Sequence, residues 1–291
     1  MRLRSLLFVP GDRPDRMEKA LGLGADALIL DLEDSVALAR KPEARKAVAA
    51  FLRSAERSVT LFVRINALDS GLLEDDLAAV LDARPDALVL PKAEGSGSVE
   101  ALAALAPGVP ILPIATETPS AIFQLGSYAA VRHLLVGLTW GAEDLPAAIG
   151  AVSARNPDGS YTNPYELVRS LTLFAGHAIG AAVIDTVYPD FRDLEGLQRH
   201  AERARRDGFT GMMAIHPTQV PIINASFTPT PDEVAKARAI VDTFADNPDS
   251  GVLQLDGRMI DAPHLRQAQR ILDADAADRS GPATGTPKSR F

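Results

Sequence analysis

The sequence predicts an α/β fold, a (β/α)8 TIM barrel followed by a C-terminal helical extension. Three observations carry this. Eight short apolar runs recur along the chain, each followed by a helix-period pattern. The runs lack polar alternation, so their strands are buried on both faces, as in a parallel sheet. The length, 291 residues, suits one α/β barrel of about 250 residues plus an extension. A doubly wound sheet is the competing arrangement.

The runs are residues 3–9, 27–32, 59–65, 87–91, 111–115, 133–138, 181–187 and 209–215. The first reads as a buried strand rather than a leader, because its apolar stretch is short and ends in Pro10-Gly11. Amphipathic helices are expected over 41–53, 72–83, 165–178 and 191–206. The long gap from 138 to 181 is rich in Pro, Gly and Asn and reads as a loop excursion above the barrel. Further helices are expected over 231–244, with Thr230 as N-cap, and over 262–274. The domain boundaries are 1–220 for the barrel, 221–275 for the extension and 276–291 for a disordered tail.

Composition narrows the function. Aromatics are only 5%, so the core must be built from Ala, Leu, Val and Ile. A net charge of −8 gives no general attraction to nucleic acid or anionic lipid. No stretch is long and apolar enough for a membrane span, and the cytoplasm is the expected compartment. The absence of cysteine excludes disulfides, zinc-thiolate and iron–sulfur sites and a catalytic thiol. Five histidines argue against a His-rich metal site, so a metal would sit on carboxylates, which favours Mg²⁺ or Mn²⁺.

In such a barrel the chemistry sits at the C-terminal ends of the strands. Charged residues gather there: Asp31, Glu33 and Asp34; Arg64; Lys92 and Glu94; Glu117; Glu143 and Asp144; Asp185; His216. Glu117 and Asp144 are the metal-ligand candidates, since Mg²⁺ commonly takes one or two carboxylates and fills its shell from water and substrate. The alternative for each is a helix N-terminal carboxylate, and Glu143 competes with Asp144 by adjacency. Gly141 and Ala142 are expected to border the substrate. Arg64 suits a substrate carboxylate bound through two parallel hydrogen bonds; its alternative is an ion pair with Asp31, Glu33 or Asp34. Lys92 carries the same two readings, while Glu33 and Asp34 would hold Arg64, Lys92 or metal-bound water. His216 reads more readily as structural than catalytic, and phosphate loops and a serine nucleophile elbow are absent. The residues point to a carboxylate-bound Mg²⁺ at a barrel mouth, acting on a small carboxylate whose enolate needs stabilising.

The stretches RSLLFVPGDRPDRMEKA, GADALILDLEDSVALARKPEAR, VRIN, ALVLPKAE, GAEDL, IDTVYPDFRDLEGL, GFTGMMAIHPTQV and LDGRMIDAPHLRQAQRIL follow in order from residue 4 to 272. With them the chain resembles the citrate lyase beta subunit family, which includes malyl-CoA and citramalyl-CoA lyases, within the HpcH/HpaI-like aldolases. The resemblance implies trimers or a higher multiple and Mg²⁺ on Glu117 and Asp144, with Arg64 on the keto acid carboxylate and Glu33 and Asp34 in support. It implies that Asp261 of a neighbouring subunit supplies an acid–base group and that Arg16 and Lys19 contribute to CoA binding. The implied reaction is retro-Claisen cleavage of a 3-hydroxy-3-carboxyacyl thioester into acetyl-CoA and a 2-keto acid. A citrate lyase complex would add alpha and gamma subunits and an acyl-carrier thioester. The alternatives are a CoA-independent pyruvate-class aldolase and a non-catalytic subunit that binds a keto acid or acyl-CoA. Two departures stand out: Asp12 where the family pattern has Asn, and Trp140, which either narrows the keto acid pocket or caps the core.

Overall fold

The computed structural model describes residues 1–55 and 58–280. They divide into two compact units, one spanning Leu3–Phe227 and the other beginning at Thr228.

The first unit holds eight strands: β1 (Ser5–Pro10), β2 (Ala27–Asp31), β3 (Thr60–Arg64), β4 (Ala87–Leu90), β5 (Ile111–Pro113), β6 (Gly137–Thr139), β7 (Ala182–Asp185) and β8 (Gly211–Ala214). All pair in parallel, in the order β5-β4-β3-β2-β1-β8-β7-β6. Parallel bridges Ile111–Leu135 and Ile114–Thr139 join the two ends of that order. The Ala115 amide donates to the Thr139 carbonyl across the same seam at 2.9 Å. The sheet therefore closes into a barrel, and the doubly wound alternative falls. Strand β6 is shorter than the apolar run suggests, because a 3₁₀ segment, Leu125–Leu134, takes up His133 and Leu134.

Between the strands lie α1 (Pro14–Ala20), α2 (Lys41–Ser54), α3 (Leu73–Val80), α4 (Ser96–Leu105), α5 (Pro119–Ile122), α6 (Asp144–Ile149), α7 (Asn163–Ala178) and α8 (Leu194–Asp207). A ninth, α9 (Gln219–Phe227), packs on α8, β8 and β1, so the barrel unit runs past residue 220 to Phe227. Local chemistry sets several ends: Asp193 caps α8 through the Gly196 amide, and Gly208 closes it in a left-handed conformation.

Strand parity explains the unbroken apolar runs. Leu6, Ala27, Ile29, Phe62, Ala87, Val89, Leu112, Ile114, Ile184 and Met213 fill the barrel interior. Their neighbours Leu7, Leu28, Leu30, Leu61, Val63, Leu88, Val183 and Met212 pack outward under the helices. Each strand thus buries both faces, as an all-parallel sheet requires. The same parity sends Asp31 and Arg64 inward, two residues beyond Ile29 and Phe62.

The second unit contains α10 (Pro231–Ala245), a hairpin of β9 (Val252–Leu255) and β10 (Arg258–Asp261), and α11 (Ala262–Ser280). A capping box starts α10: Thr230 accepts from the Glu233 amide while Glu233 accepts in return. Ala237, Ala268 and Leu272 form the contact between its two helices. The hairpin is absent from the sequence expectations. Its signal is Asp256-Gly257, both at positive φ (50° and 75°), the pair that a tight two-residue hairpin turn demands. The tail expected from 276 begins inside α11; residues 281–291 lie outside the described residues. Among the described residues no helix is long and apolar enough to cross a membrane.

Candidate active site

A cavity of about 400 Å³ opens at the C-terminal ends of the strands. Phe8 and Pro10, Asp31, Arg64, Ile114 and Glu117, Gly141 to Asp144, Thr186, and Met213 and Ile215 line it.

On its β2–β3 side, Asp31 and Arg64 are register partners on adjacent strands. Asp31 is buried and takes Arg64 through a two-point contact, Nε to Oδ1 and Nη2 to Oδ2, both 2.7 Å. Arg64 Nη1 reaches Glu33 Oε2 at 2.7 Å, and the ring of Phe8 lies 4.8 Å from the guanidinium carbon. The side edge of Arg64 is thus occupied by Asp31, the alternative partner weighed for it. Only the outer edge, Nη1 and Nη2, is left to meet a substrate carboxylate, and Nη1 shares it with Glu33. Burial raises the Asp31 carboxyl, but the Arg64 bonds and charge outweigh it and hold Asp31 below its ordinary value.

Glu33 is buried and bridges two cations, with Oε1 2.8 Å from Lys92 Nζ. Burial raises its carboxyl despite both cations. Asp34 is exposed and 3.9 Å from Arg64, a far weaker contact. The turn that carries Glu33 hangs on a buried lysine the sequence reading passed over. Lys41 Nζ donates to the carbonyls of Leu32 (2.7 Å) and Glu33 (2.9 Å) and to Asn66 Oδ1 (2.7 Å), one acceptor for each of its three protons.

On the β5–β6 side the balance reverses. Glu117 is 5% exposed and receives one hydrogen bond, from the Lys92 amide to Oε2 at 2.5 Å. That amide points at Glu117 because Lys92 sits at φ 52°, a left-handed conformation costly for a non-glycine residue and frequent at functional sites. Gly141 is required opposite: a Cβ there would lie 2.7 Å from Glu117 Cγ. Burial, with the charges of Asp144 and Glu33, pushes Glu117 up to about 8. Asp144, half-exposed at the start of α6, meets Lys92 Nζ at 3.6 Å. Among the described residues no group of three His, Asp or Glu side chains could hold a metal ion by itself. Two oxygen-rich carboxylates, one short of donors, fit a hard dication that completes its shell with water and substrate oxygens.

Other expected residues fall elsewhere. Arg16 and Lys19 are exposed on α1 and do not line the cavity. Asp261, in the second unit, ends β10 and lies 2.6 Å from His264 Nδ1. His216 stacks on Phe191 at 4.8 Å and bonds Thr218, a structural placement. Asp12 pairs with Arg40 at 3.5 Å. Trp140 is fully buried and absent from the cavity wall, so it caps the core rather than narrowing the pocket.

The model of the HpcH/HpaI aldolase/citrate lyase family matches residues 4–217. A citrate lyase subunit beta-like protein of Mycobacterium tuberculosis is 37% identical over 278 residues, covering 96% of each chain. A (3S)-malyl-CoA thioesterase of Cereibacter sphaeroides is 36% identical, covering 92% of this chain and 93% of its own. The mitochondrial citramalyl-CoA lyase of Rattus norvegicus is 33% identical, covering 92% and 85%. The crystal structure of CitE from M. tuberculosis in complex with magnesium, acetoacetate and coenzyme A superposes with a TM-score of 0.83 at 35% identity, covering 94% and 98%.

Proposed function

Because the chain belongs to the HpcH/HpaI aldolase/citrate lyase family, we propose that it is a Mg²⁺-dependent carbon–carbon lyase of the cytoplasm. It would cleave a 3-hydroxy-3-carboxyacyl thioester of the citryl-, malyl- or citramalyl-CoA type into acetyl-CoA and a 2-keto acid. The observation that carries this is the buried, donor-poor Glu117 beside Asp144, on the wall of a cavity that also presents Arg64.

Glu117 and Asp144 would hold the ion, since hard dications take carboxylate oxygens, and a relative is solved with magnesium and coenzyme A bound. An ion held by these two carboxylates would supply the Lewis-acid charge that lowers a substrate hydroxyl's pKa. The outer edge of Arg64 takes the carboxylate of the departing keto acid, and Asp31, Glu33 and Phe8 keep the guanidinium in plane. Lys92 and Asp34 add local charge at the rim, and Gly141 and Ala142 form the wall beside the substrate. As the hydroxyl proton passes to solvent water at the open cavity mouth, the hydroxyl-bearing carbon becomes the keto carbonyl, its bond to the thioester α-carbon breaks, and that electron pair becomes the thioester enolate. Asp261 of a neighbouring subunit in a trimer would deliver the proton that makes acetyl-CoA. Arg16 and Lys19 are the proposed contacts to CoA.

The test is cleavage of malyl-CoA, citramalyl-CoA and citryl-CoA by the full chain, with Mg²⁺ and with EDTA. Metal-dependent release of a 2-keto acid together with acetyl-CoA is the expected result. Release of free CoA and an intact hydroxy acid would instead favour hydrolysis, as named for the C. sphaeroides relative. Binding of thioester without any product would favour a non-catalytic subunit. Turnover of free hydroxy acids would favour a CoA-independent aldolase. Mixing inactive Asp261→Ala with inactive Glu117→Ala should restore part of the activity if Asp261 acts across subunits; no recovery would remove it from that role.

A further inference from the structure

Asp185 ends β7 yet lies outside the cavity, and no step proposed above uses it. Parity accounts for this. Ile184 packs into the barrel interior, so Asp185 points outward, under α7 and α8. Its carboxylate is completely buried, which is costly unless every lone pair finds a partner.

The two oxygens have different partners. Oδ2 takes Arg169 through Nη2 at 3.0 Å and Nε at 3.3 Å, and lies 3.4 Å from His200 Nε2. Arg169 is itself fixed by Asp207 at 2.6 Å. These contacts anchor the carboxylate to the helices. Oδ1 accepts from the Trp140 indole at 2.6 Å and from the Thr186 amide at 2.9 Å. Trp140 follows β6 and leads directly into Gly141, Ala142, Glu143 and Asp144; Thr186 follows β7 and precedes Val187. Those six residues, Gly141 to Asp144 with Thr186 and Val187, all line the cavity. One buried oxygen therefore ties together two walls of the site. The Trp140 ring is held in turn by an edge-on contact with Tyr161 at 5.2 Å. Other side-chain contacts to the segment are longer: Thr116 Oγ1 accepts from Gly141 N at 3.1 Å and donates to the Gly141 carbonyl at 3.2 Å, and Lys92 Nζ lies 3.6 Å from Asp144.

We infer that Asp185 is a positioning residue: through the Trp140 indole it fixes the Gly141–Asp144 segment and so sets the Asp144 carboxylate against Glu117. The inference rests on the reading of Glu117 and Asp144 as the cation's ligands. A bond from N–H to carboxylate is about twice as strong as one between neutral groups, so neither half is replaceable at equal strength. Its loss loosens the segment even where the fold survives.

Two variants test it in the full chain. Trp140→Phe keeps an aromatic ring and the Asp185–Arg169 pair but removes the indole donor. Asp185→Asn keeps the shape and removes the charge; should it fail to fold, Trp140→Phe carries the test alone. Three quantities are measured: Mg²⁺ affinity by calorimetry, hydrogen exchange of the 141–144 amides, and thermal unfolding. Each variant should weaken Mg²⁺ binding about tenfold, the equivalent of one ordinary hydrogen bond. Each should also speed exchange over 141–144 about tenfold while the amides of β2 and β3 keep their wild-type protection. The double variant should be no worse than the worse single one, because both break the same link. Wild-type affinity and wild-type exchange at 141–144 in Trp140→Phe would overturn the inference, whatever the unfolding temperature. Failure of the wild-type protein to bind Mg²⁺ would instead sink the metal reading, and the exchange arm would still decide the role of Asp185.

Discussion

The two sides of the barrel mouth handle charge in opposite ways. At the ends of β2, β3 and β4, Asp31 and Glu33 face Arg64 and Lys92, two anions against two cations in contacts of 2.7–2.8 Å. At the ends of β5 and β6, Glu117 and Asp144 share, among the described residues, the cation Lys92, whose ammonium is closer to Glu33 (2.8 Å) than to Asp144 (3.6 Å). One side pairs its buried charges within itself. The other carries a negative surplus that folding alone does not satisfy. A protein keeps such a surplus where a cation belongs, and a barrel mouth is where a barrel puts its chemistry.

The largest effect should come from the acidic side. Glu117→Ala or Asp144→Ala should cut metal-dependent turnover by roughly 10³-fold or more, with circular dichroism unchanged. Full activity in either would end the metal assignment. Breaking the self-neutralised side should act on the fold as well as on substrate binding. Arg64→Ala leaves the buried Asp31 unpaired and should cost about 3–5 kcal/mol in denaturant unfolding. A loss below about 1 kcal/mol would mean that the pair contributes little.

The two sides should also differ in the sign of their pH dependence. Asp31 is held below its ordinary value of 3.8, so its contribution is present above that value and lost as pH falls further. Glu117 is raised from 4.5 to about 8, so in the metal-free protein its contribution is present below 4.5 and lost as pH rises through about 8. Melting temperature without metal should therefore fall across that upper window, Glu117→Gln should flatten the fall, and Mg²⁺ should bind more tightly as pH rises toward 8. A pH-independent melting curve would contradict the burial argument. The smallest effect is expected at the rim: Asp34→Asn, exposed and 3.9 Å from Arg64, should change stability by about 0–1 kcal/mol.

Much of this was legible in the residues, and the gaps have physical causes. Eight apolar runs mark eight strands because parallel strands bury both faces, and the charged strand ends mark the rim. What a linear reading lacks is register and parity. Arg64 pairs with Asp31 because β2 and β3 align them as neighbours 33 residues apart. Asp185 resembles the other strand-end acids in sequence, yet it stands on the outward parity of β7 and meets Trp140 across 45 residues. Counting alternate residues back from each strand end would have separated it from Arg64 and Asp31. Lys41 carries no sequence signal at all, since a lysine in the first turn of a helix is ordinarily solvated. The hairpin of the second unit was readable from Asp256-Gly257 and was missed among helical expectations.

Whether the unbalanced acidic side holds the cation is decided by Mg²⁺ calorimetry on the wild-type chain and on Asp144→Asn at one pH near 8. Saturable binding is expected in the wild type and its loss in the variant. Equal binding in both, or none in the wild type, would contradict that assignment.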